Sequence, residues 1–243
     1  MNSTSRGLIV SIIFVLCAAT LYAADFERDI IPTSAGPLAV TFIGHGTLMF
    51  EFGGKVVHVD PWSAVGDYST LPRGDLVLLT HHHIDHLDSL ALTLARKPYA
   101  KILGTYECSR VYPGITVMRN GDVADTLGLH IEAVPAYNLR VPGKGQVHPK
   151  GSCNGYIVTA GGVRFYLAGE TQNIPELKDV KNIDIAFVAM DGVFNMDAEE
   201  AAAAVKVFMP KVVYPIHTGG ADPKELARAL DGSGIEVRIR KMR

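Results

Sequence analysis

Residues 80–86, Thr-His-His-His-Ile-Asp-His, constrain the fold and the chemistry of this chain more than any other stretch. They follow an apolar run at residues 76–79, which predicts a buried strand, and they precede a predicted helix that begins near Asp88. Side chains alternate along a strand, so imidazoles two residues apart at its end point to one side. Imidazole and carboxylate are ligands of zinc and related divalent ions. The segment therefore predicts a metal site with four candidate ligands: His81, His83, Asp85 and His86.

Residues 1–23 predict a signal peptide. A polar start with Arg6 precedes an apolar run at residues 8–16, and small residues follow up to Ala24, before a charged segment. This is the order of a secretory signal, here cleaved after Ala23. The apolar run is short for a membrane span of about 20 residues, although an uncleaved anchor stays open. We expect an exported protein, periplasmic or secreted, with no stable membrane association after cleavage.

Residues 24–243 predict a single α/β domain, because their length suits one domain and no linker divides them. The pairs Gly53-Gly54 and Gly161-Gly162 predict hairpins, and strand–helix alternation follows each hairpin. Asp197 and Glu200 form a capping box for a helix at residues 198–208. This order predicts two mixed sheets packed face to face, with helices outside.

The net charge of −2 disfavours nucleic acid as a partner, so we expect a small-molecule substrate; the sequence does not predict an oligomeric state. Cleavage of the signal leaves two cysteines, Cys108 and Cys153. An oxidising compartment permits a disulfide, but the sequence cannot place the two close enough, so their pairing stays open.

Histidines and carboxylates stand directly after several predicted strands, and we expect these strand ends to meet at one edge of a sheet. Besides residues 81–86, the side chains concerned are His45, Glu170 and His217. His148 lies in a long loop rich in glycine, of the kind that tends to be functional. The alternative for His148 and His217 is a loop histidine without a role.

Other polar residues are predicted to lie outside the ligand set. His58 and His130 fall inside strands, where half-exposed side chains are expected, and His82 should point to solvent. Asp60 and Asp191 follow strands as well, and they are better interpreted as groups that fix loops or orient ligands.

Residues 80–86 match the His-x-His-x-Asp-His signature, and here the chain resembles the metallo-β-lactamase superfamily of metal-dependent hydrolases. It looks most similar to the branch of the bacterial L-ascorbate-6-phosphate lactonases and, more distantly, the N-acyl-phosphatidylethanolamine phospholipase D enzymes. The supporting segments are Gly44-His45-Gly46, Asp60-Pro61-Trp62, Val134-Pro135-Ala136-Tyr137-Asn138, Ala168-Gly169-Glu170-Thr171 and Tyr214-Pro215-Ile216-His217. The resemblance implies a four-layer αββα sandwich with a two-metal centre at one edge.

The resemblance also implies a ligand set. His81, His83 and a third histidine would hold one ion, the group Asp85, His86 and His217 would hold the other, and a carboxylate would bridge them. Some relatives carry the third histidine at the position of Asn138, whereas close ones use a His-Pro-Lys-Gly run, here at His148. We predict His148 as the ligand, with Asn138 beside the site as a polar support.

The bridging position is Glu170 instead of the usual aspartate. The extra methylene leaves open whether the carboxylate binds one ion or bridges a wider pair. Two divalent ions are expected, zinc first, with manganese or iron as alternatives.

The implied chemistry is hydrolysis of a lactone, ester, amide or phosphodiester by a metal-activated hydroxide. Asp85 would orient the nucleophile and carry a proton, and His45 would contact the substrate or the leaving oxygen. The alternative is a metal- or ligand-binding protein without turnover; β-lactamase and nuclease activities are less favoured.

Overall fold

The computed structural model describes residues 26–139, 143 and 145–242, so the predicted signal peptide and its cleavage site lie outside the described residues. The first sheet contains, in spatial order, β1 (Glu27–Thr33), β2 (Gly36–Gly44), β3 (Thr47–Phe52), β4 (Lys55–Val59), β5 (Gly74–Leu78), β6 (Arg96–Gly104) and β7 (Thr116–Val117). Strands β1 to β4 are antiparallel neighbours, and β4 to β7 are parallel.

The second sheet repeats this plan. It contains β8 (Val123–Thr126), β9 (Leu129–Ala136), β10 (Cys153–Ala160), β11 (Val163–Leu167), β12 (Ile185–Ala189), β13 (Val212–Ile216) and β14 (Glu236–Val237), with β8 and β14 at opposite edges. Strands β8 to β11 are antiparallel and β11 to β14 parallel. The helices are α1 (Ser89–Ala95), α2 (Tyr106–Val111), α3 (Ala198–Phe208) and α4 (Lys224–Ala229), with a 3-10 helix at Pro175–Asp179.

The largest apolar cluster lies between the two sheets. Phe42 of β2 packs there against Tyr214 of β13, with ring centroids 4.9 Å apart, and Tyr214 stacks on Phe187 at 5.2 Å. Separate clusters pack α1 and α2 on the outer face of the first sheet and α3 and α4 on that of the second. The predicted αββα sandwich of two mixed sheets is therefore confirmed.

Local signals account for several element boundaries. Gly53 and Gly54 adopt φ values of 56° and 73°, which glycine reaches without steric cost, and they join β3 to β4 in the predicted hairpin. The side chain of Asp197 accepts a hydrogen bond from Glu200 N at 2.8 Å, so α3 begins where the capping box predicts. The edge strand β1 has no predicted counterpart, because its sequence, with Pro32, has weak strand character.

Two expectations about exposure and position are wrong. The site residues come from both sheets, which meet at a common rim, and not from the edge of one sheet. His58 is fully buried instead of half-exposed: an apolar cluster covers the outer face of β4, and His58 Nε2 donates to the carbonyl of Pro72 at 2.8 Å. Burial lowers the pKa of His58 to about 4. His130 is half-exposed beside Asp125, and His82 is exposed, as expected.

Among the described residues, Cys108 and Cys153 are both buried and free, so they do not pair with each other. Burial raises the pKa of the Cys108 thiol to about 11 and that of Cys153 to about 12, which keeps both protonated and unreactive. Within the described part of the chain, the helices are all too short or too polar to cross a membrane.

Candidate metal centre

Asp60 fixes the turn that follows β5. Its Oδ1 accepts the backbone N–H of Thr80 at 2.8 Å, and its Oδ2 accepts the Thr80 hydroxyl at 2.6 Å and lies 2.8 Å from Nδ1 of His86. Asp60 is only 2% exposed. One buried carboxylate thus fixes both the start of the turn and the orientation of an imidazole within it, as expected of a group that orients ligands.

Three imidazoles form a first cluster. His83 Nδ1 lies 3.1 Å from His81 Nε2 and 3.2 Å from His148 Nε2. Zinc–nitrogen bonds of about 2.0–2.1 Å in a tetrahedral site separate the ligand nitrogens by about 3.4 Å. Two of the three separations are therefore close to the spacing that a single ion requires, and all three donor atoms lie within 4.8 Å of one another.

Asn138 lies behind His148 and not in the cluster. Its Oδ1 accepts the backbone N–H of His148 at 3.2 Å and faces Nδ1 of the same imidazole, and its Nδ2 donates to the carbonyl of Phe194 at 2.7 Å. Both Asn138 and His148 are buried. The carboxamide fixes the ring so that Nε2 faces the cluster, which places the two residues as the sequence predicts.

A second cluster contains four side chains whose candidate ligand atoms lie within 4.8 Å of one another: His45, Asp85, His86 and His217. Asp85 Oδ2 lies 3.8 Å from Nε2 of His86 and 3.8 Å from Nε2 of His217. Its side chain is 28% exposed, whereas those of His86 and His217 are almost fully buried. Asp85 is therefore the member of this cluster that solvent or a small molecule reaches most easily.

Glu170, from the loop after β11, lies between the two clusters. Its Oε1 is 2.8 Å from His86 Nε2 and 2.9 Å from His217 Nε2, and its Oε2 is 3.0 Å from His148 Nε2. The two oxygens thus face different clusters. The glutamate side chain, one methylene longer than the usual aspartate, thus reaches both clusters, which is the arrangement of a shared carboxylate.

Buried nitrogens without hydrogen bonds support this arrangement. Among the described residues, His86 Nε2 and both ring nitrogens of His217 are buried without a hydrogen-bond partner, although Glu170 lies close by. Buried polar atoms are normally paired, so unpaired ones require an explanation such as a bound ion. Imidazole nitrogens around a carboxylate suit a divalent cation, and the residues present fit a metal centre.

The charges of the site also favour a bound cation. Burial alone would raise the pKa of Glu170, but its contacts with His148, His217 and His86 outweigh burial and hold that pKa well below its usual range. Burial alone would lower the pKa of His86, yet Asp60 and Glu170 raise it to about 10. Glu170 is therefore ionised, and the negative charge of the centre favours a bound cation, which would displace protons from the neighbouring imidazoles.

Asp191 supports His217 from the other side. Its Oδ2 lies 3.6 Å from His217 Nδ1, and its Oδ1 accepts the backbone N–H groups of Val193, Phe194 and Asn195 at 2.8–2.9 Å. It thus fixes the loop after β12, as the sequence predicts.

Other residues near the centre were missed by sequence reasoning. The ring of Trp62 lies 5.0 Å from that of His45, and the backbone N–H of Asn154 in β10 donates to the carbonyl of Thr80. Asn195 is 4% exposed, and neither polar atom of its carboxamide has a hydrogen-bond partner among the residues that the structure describes. The one available signal was the segment Asp60-Pro61-Trp62, which supports the resemblance, whereas Asn154 falls in the glycine-rich loop before the predicted strand at residues 156–159.

Comparison with known proteins gives consistent matches. Residues 39–217 match the family model described as a Beta-lactamase superfamily domain. A UPF0173 metal-dependent hydrolase of Thermococcus onnurineus (strain NA1) is 32% identical over 222 residues, covering 83% of this chain and 96% of the relative. A UPF0173 metal-dependent hydrolase of Nanoarchaeum equitans is 28% identical over 213 residues, covering 82% and 95%.

Two solved structures extend the similarity. A candidate metal-dependent hydrolase from Parabacteroides distasonis ATCC 8503 has 42% sequence identity and a TM-score of 0.87, covering 90% of this chain and 100% of that one. Igni18, a metallo hydrolase from Ignicoccus hospitalis, has 26% identity and a TM-score of 0.70, covering 84% and 95%.

Proposed function

The chain belongs to the β-lactamase superfamily and, within it, to the UPF0173 metal-dependent hydrolases, and we propose that it uses two divalent ions to hydrolyse a small-molecule lactone, ester, amide or phosphodiester. The observation that carries the proposal is the position of Glu170, with one oxygen toward each ligand cluster. A shared carboxylate offsets the repulsion between two dications, and two-metal sites typically hold their ions about 3.5–4 Å apart.

Under this proposal, His81, His83 and His148 hold the first ion, and Asp85, His86 and His217 hold the second. When bound, the ions lower the pKa of a coordinated water from 15.7 to about 7 and stabilise developing negative charge. Zinc is the first expectation because imidazole dominates the donor set, and manganese and iron are the alternatives.

Asp85 has the position of a proton carrier. Its carboxylate belongs to the second cluster and is also partly exposed, so an attacking water and the leaving group of a substrate could both reach it. Burial alone would raise the pKa of Asp85, but His217, His45 and His86 hold it well below its usual range. We infer that Asp85 orients the attacking water and transfers its proton.

Exposed apolar side chains flank the centre and suggest an apolar part in the substrate. Ile84 stands between two candidate ligands and is 68% exposed, Leu139 follows Asn138, and Val193 lies in the loop that Asp191 fixes. Such side chains bind the non-reacting part of a small molecule well, whereas polar groups near the scissile bond fix its orientation. We propose that the substrate carries an acyl or other apolar group beside that bond.

The cellular location and the closer kinship are parts of the same proposal. We propose that the chain is exported and that residues 1–23 are removed. N-terminal sequencing of protein from its native compartment tests this, and an intact Met1 in membrane fractions would indicate an anchor. The kinship to lactonases and to phospholipase D enzymes stays a prediction, which a lactone and a phosphodiester in the substrate panel test.

Metal content and turnover, measured on the same preparation, test the function. We expect two ions per chain by mass spectrometry, hydrolysis of at least one generic ester, lactone or phosphodiester, and loss of that activity after chelation. Glu170→Asp keeps the charge and should retain both ions with an altered rate, whereas Glu170→Gln should lose one ion. One tightly bound ion with no turnover, in wild type and Glu170→Asp alike, would favour the binding protein instead.

A further inference from the structure

We propose that His45 is a fourth protein ligand of the second ion, beside Asp85, His86 and His217. The sequence predicts a different role for His45, contact with the substrate or the leaving oxygen. The proposal rests on the two-metal centre proposed above and concerns how that centre is built. It makes the two metal positions unequal.

The backbone at His45 is strained, and contacts on both sides hold it. His45 lies on the turn between β2 and β3 with φ of 54°, a region that residues other than glycine seldom adopt. Its carbonyl accepts the backbone N–H of His217 at 2.8 Å, which ties this turn to the loop after β13. Strained backbone of this kind clusters at functional sites, where surrounding structure maintains it.

The strained turn directs the imidazole into the second cluster. The ring centroid of His45 lies 3.6 Å from that of His217 and 5.8 Å from that of His86. Its Nε2 is 3.1 Å from Asp85 Oδ2. Gly46 leaves room beside it, because a Cβ at that position would lie only 3.1 Å from Cε1 of His86.

The spacing of the donor atoms suits shared ligation. Two ligands on opposite sides of an ion, each bound at about 2.1 Å, are about 4.2 Å apart, and neighbouring ligands are closer. The four donors of this cluster lie within 4.8 Å of one another, so shifts of a few tenths of an ångström would bring all of them to one ion. The alternative is that His45 only donates a hydrogen bond to Asp85.

Ligation by His45 has a consequence for metal preference. With Glu170 shared, the first ion would have four protein donors and the second would have five. Zinc sites in proteins are usually four-coordinate, whereas manganese and iron accept five or six ligands. The second position should therefore favour an ion of higher coordination number than the first.

Co²⁺ titration of metal-stripped protein tests the assignment without using turnover. Two variants separate ligation from hydrogen bonding. His45→Gly removes the imidazole and relaxes the backbone, since glycine tolerates this φ, and His45→Gln keeps an N–H donor for Asp85 but removes the imidazole. His82→Ala, at the exposed neighbour of the ligands, is the matched control, and thermal midpoints of the metal-free proteins check folding.

We expect wild type and His82→Ala to bind two Co²⁺ ions. Both His45 variants should keep the first ion and bind the second more than about 100-fold more weakly. Loss of a residue that only orients a ligand costs about 10–100-fold in metal affinity, so a larger loss indicates that a ligand itself was removed. Their d–d absorption at saturation should be stronger, since the band intensifies as coordination number falls.

The assignment is overturned if His45→Gln binds the second ion within about 100-fold of wild type with an unchanged band, because His45 would then act through Asp85 alone. It is also overturned if wild type binds a single Co²⁺. Two bound ions without turnover would contradict the hydrolase proposal, but not this one.

Discussion

The backbone N–H of Asn154 donates to the carbonyl of Thr80 at 2.9 Å, so a hydrogen bond joins the two sheets directly beneath the candidate metal centre. One residue earlier in the first sheet, the carbonyl of Leu79 accepts the hydroxyl of Tyr156 at 2.8 Å. Buried backbone carbonyls must be satisfied, and here β10 of the opposite sheet satisfies two in succession. The turn that carries four candidate ligands is thereby anchored to both sheets.

Tyr156→Phe should lower the free energy of unfolding by about 1–3 kcal/mol, because the carbonyl of Leu79 would lose its partner while staying buried. Chemical denaturation of the metal-free protein measures the change. Tyr166→Phe is the matched control: this hydroxyl is also buried but has no hydrogen-bond partner in the described part of the chain, so its removal should be neutral or stabilising. Equal destabilisation by both substitutions would contradict the role given to the Tyr156 hydroxyl.

His148→Ala should weaken the first metal position far more than Asn138→Ala does. His148 supplies a nitrogen to the cluster, whereas Asn138 only fixes the ring of His148. Loss of a supporting group costs about 10–100-fold in metal affinity, and loss of a ligand should cost more. Competition with a chromophoric chelator measures both, with His82→Ala expected to match wild type. The opposite ranking would move the ligand to Asn138.

Asp75→Asn should lower the free energy of unfolding at neutral pH, and this loss should be smaller in acid. Burial alone would raise the pKa of Asp75, but Lys97 at 2.8 Å and the N–H of Val56 at 3.1 Å hold it below its usual value. A carboxylate with a lowered pKa stabilises the fold above its unfolded-state pKa of about 3.9, and this contribution is lost as the pH falls through the folded-state pKa.

Urea denaturation at pH 7 should therefore show a loss of about 1–3 kcal/mol in Asp75→Asn. The difference from wild type should shrink between pH 4 and pH 2. Lys97→Met should produce a smaller loss of the same sign, because the hydrogen bond from Val56 remains. A difference that stays constant down to pH 2 would rule out this electrostatic origin.

Ile84→Ser should raise KM for substrates with apolar acyl groups while leaving metal content unchanged. The side chain is exposed between two candidate ligands, contributes apolar surface and carries no donor atom for an ion. A series of esters with increasing acyl length measures the effect, which should grow with chain length, since each buried methylene contributes about 0.8 kcal/mol. Val207→Ser, at an exposed apolar residue of α3, is the control. A uniform loss of kcat for every ester would instead indicate damage to the centre.

The sequence alone determined the features that depend on neighbouring residues. Hairpins at paired glycines, the start of α3 at Asp197 and the cluster at residues 81–86 follow from backbone freedom, capping and strand alternation, which act over a few residues. The resemblance carried by that cluster added the sandwich fold. These local signals sufficed to predict a metal site and the class of the fold.

Only the tertiary structure decided which distant side chains meet. It placed His148 in the first cluster and Asn138 behind it, an assignment for which the sequence offered two candidates. It also buried His58 beneath an apolar cluster and placed His45 against His217. Each of these contacts joins segments far apart in the chain, and each depends on how two sheets pack and twist against each other. No local periodicity predicts that packing, so the distances among the candidate ligands, and the place of His45 among them, became known only from the tertiary structure.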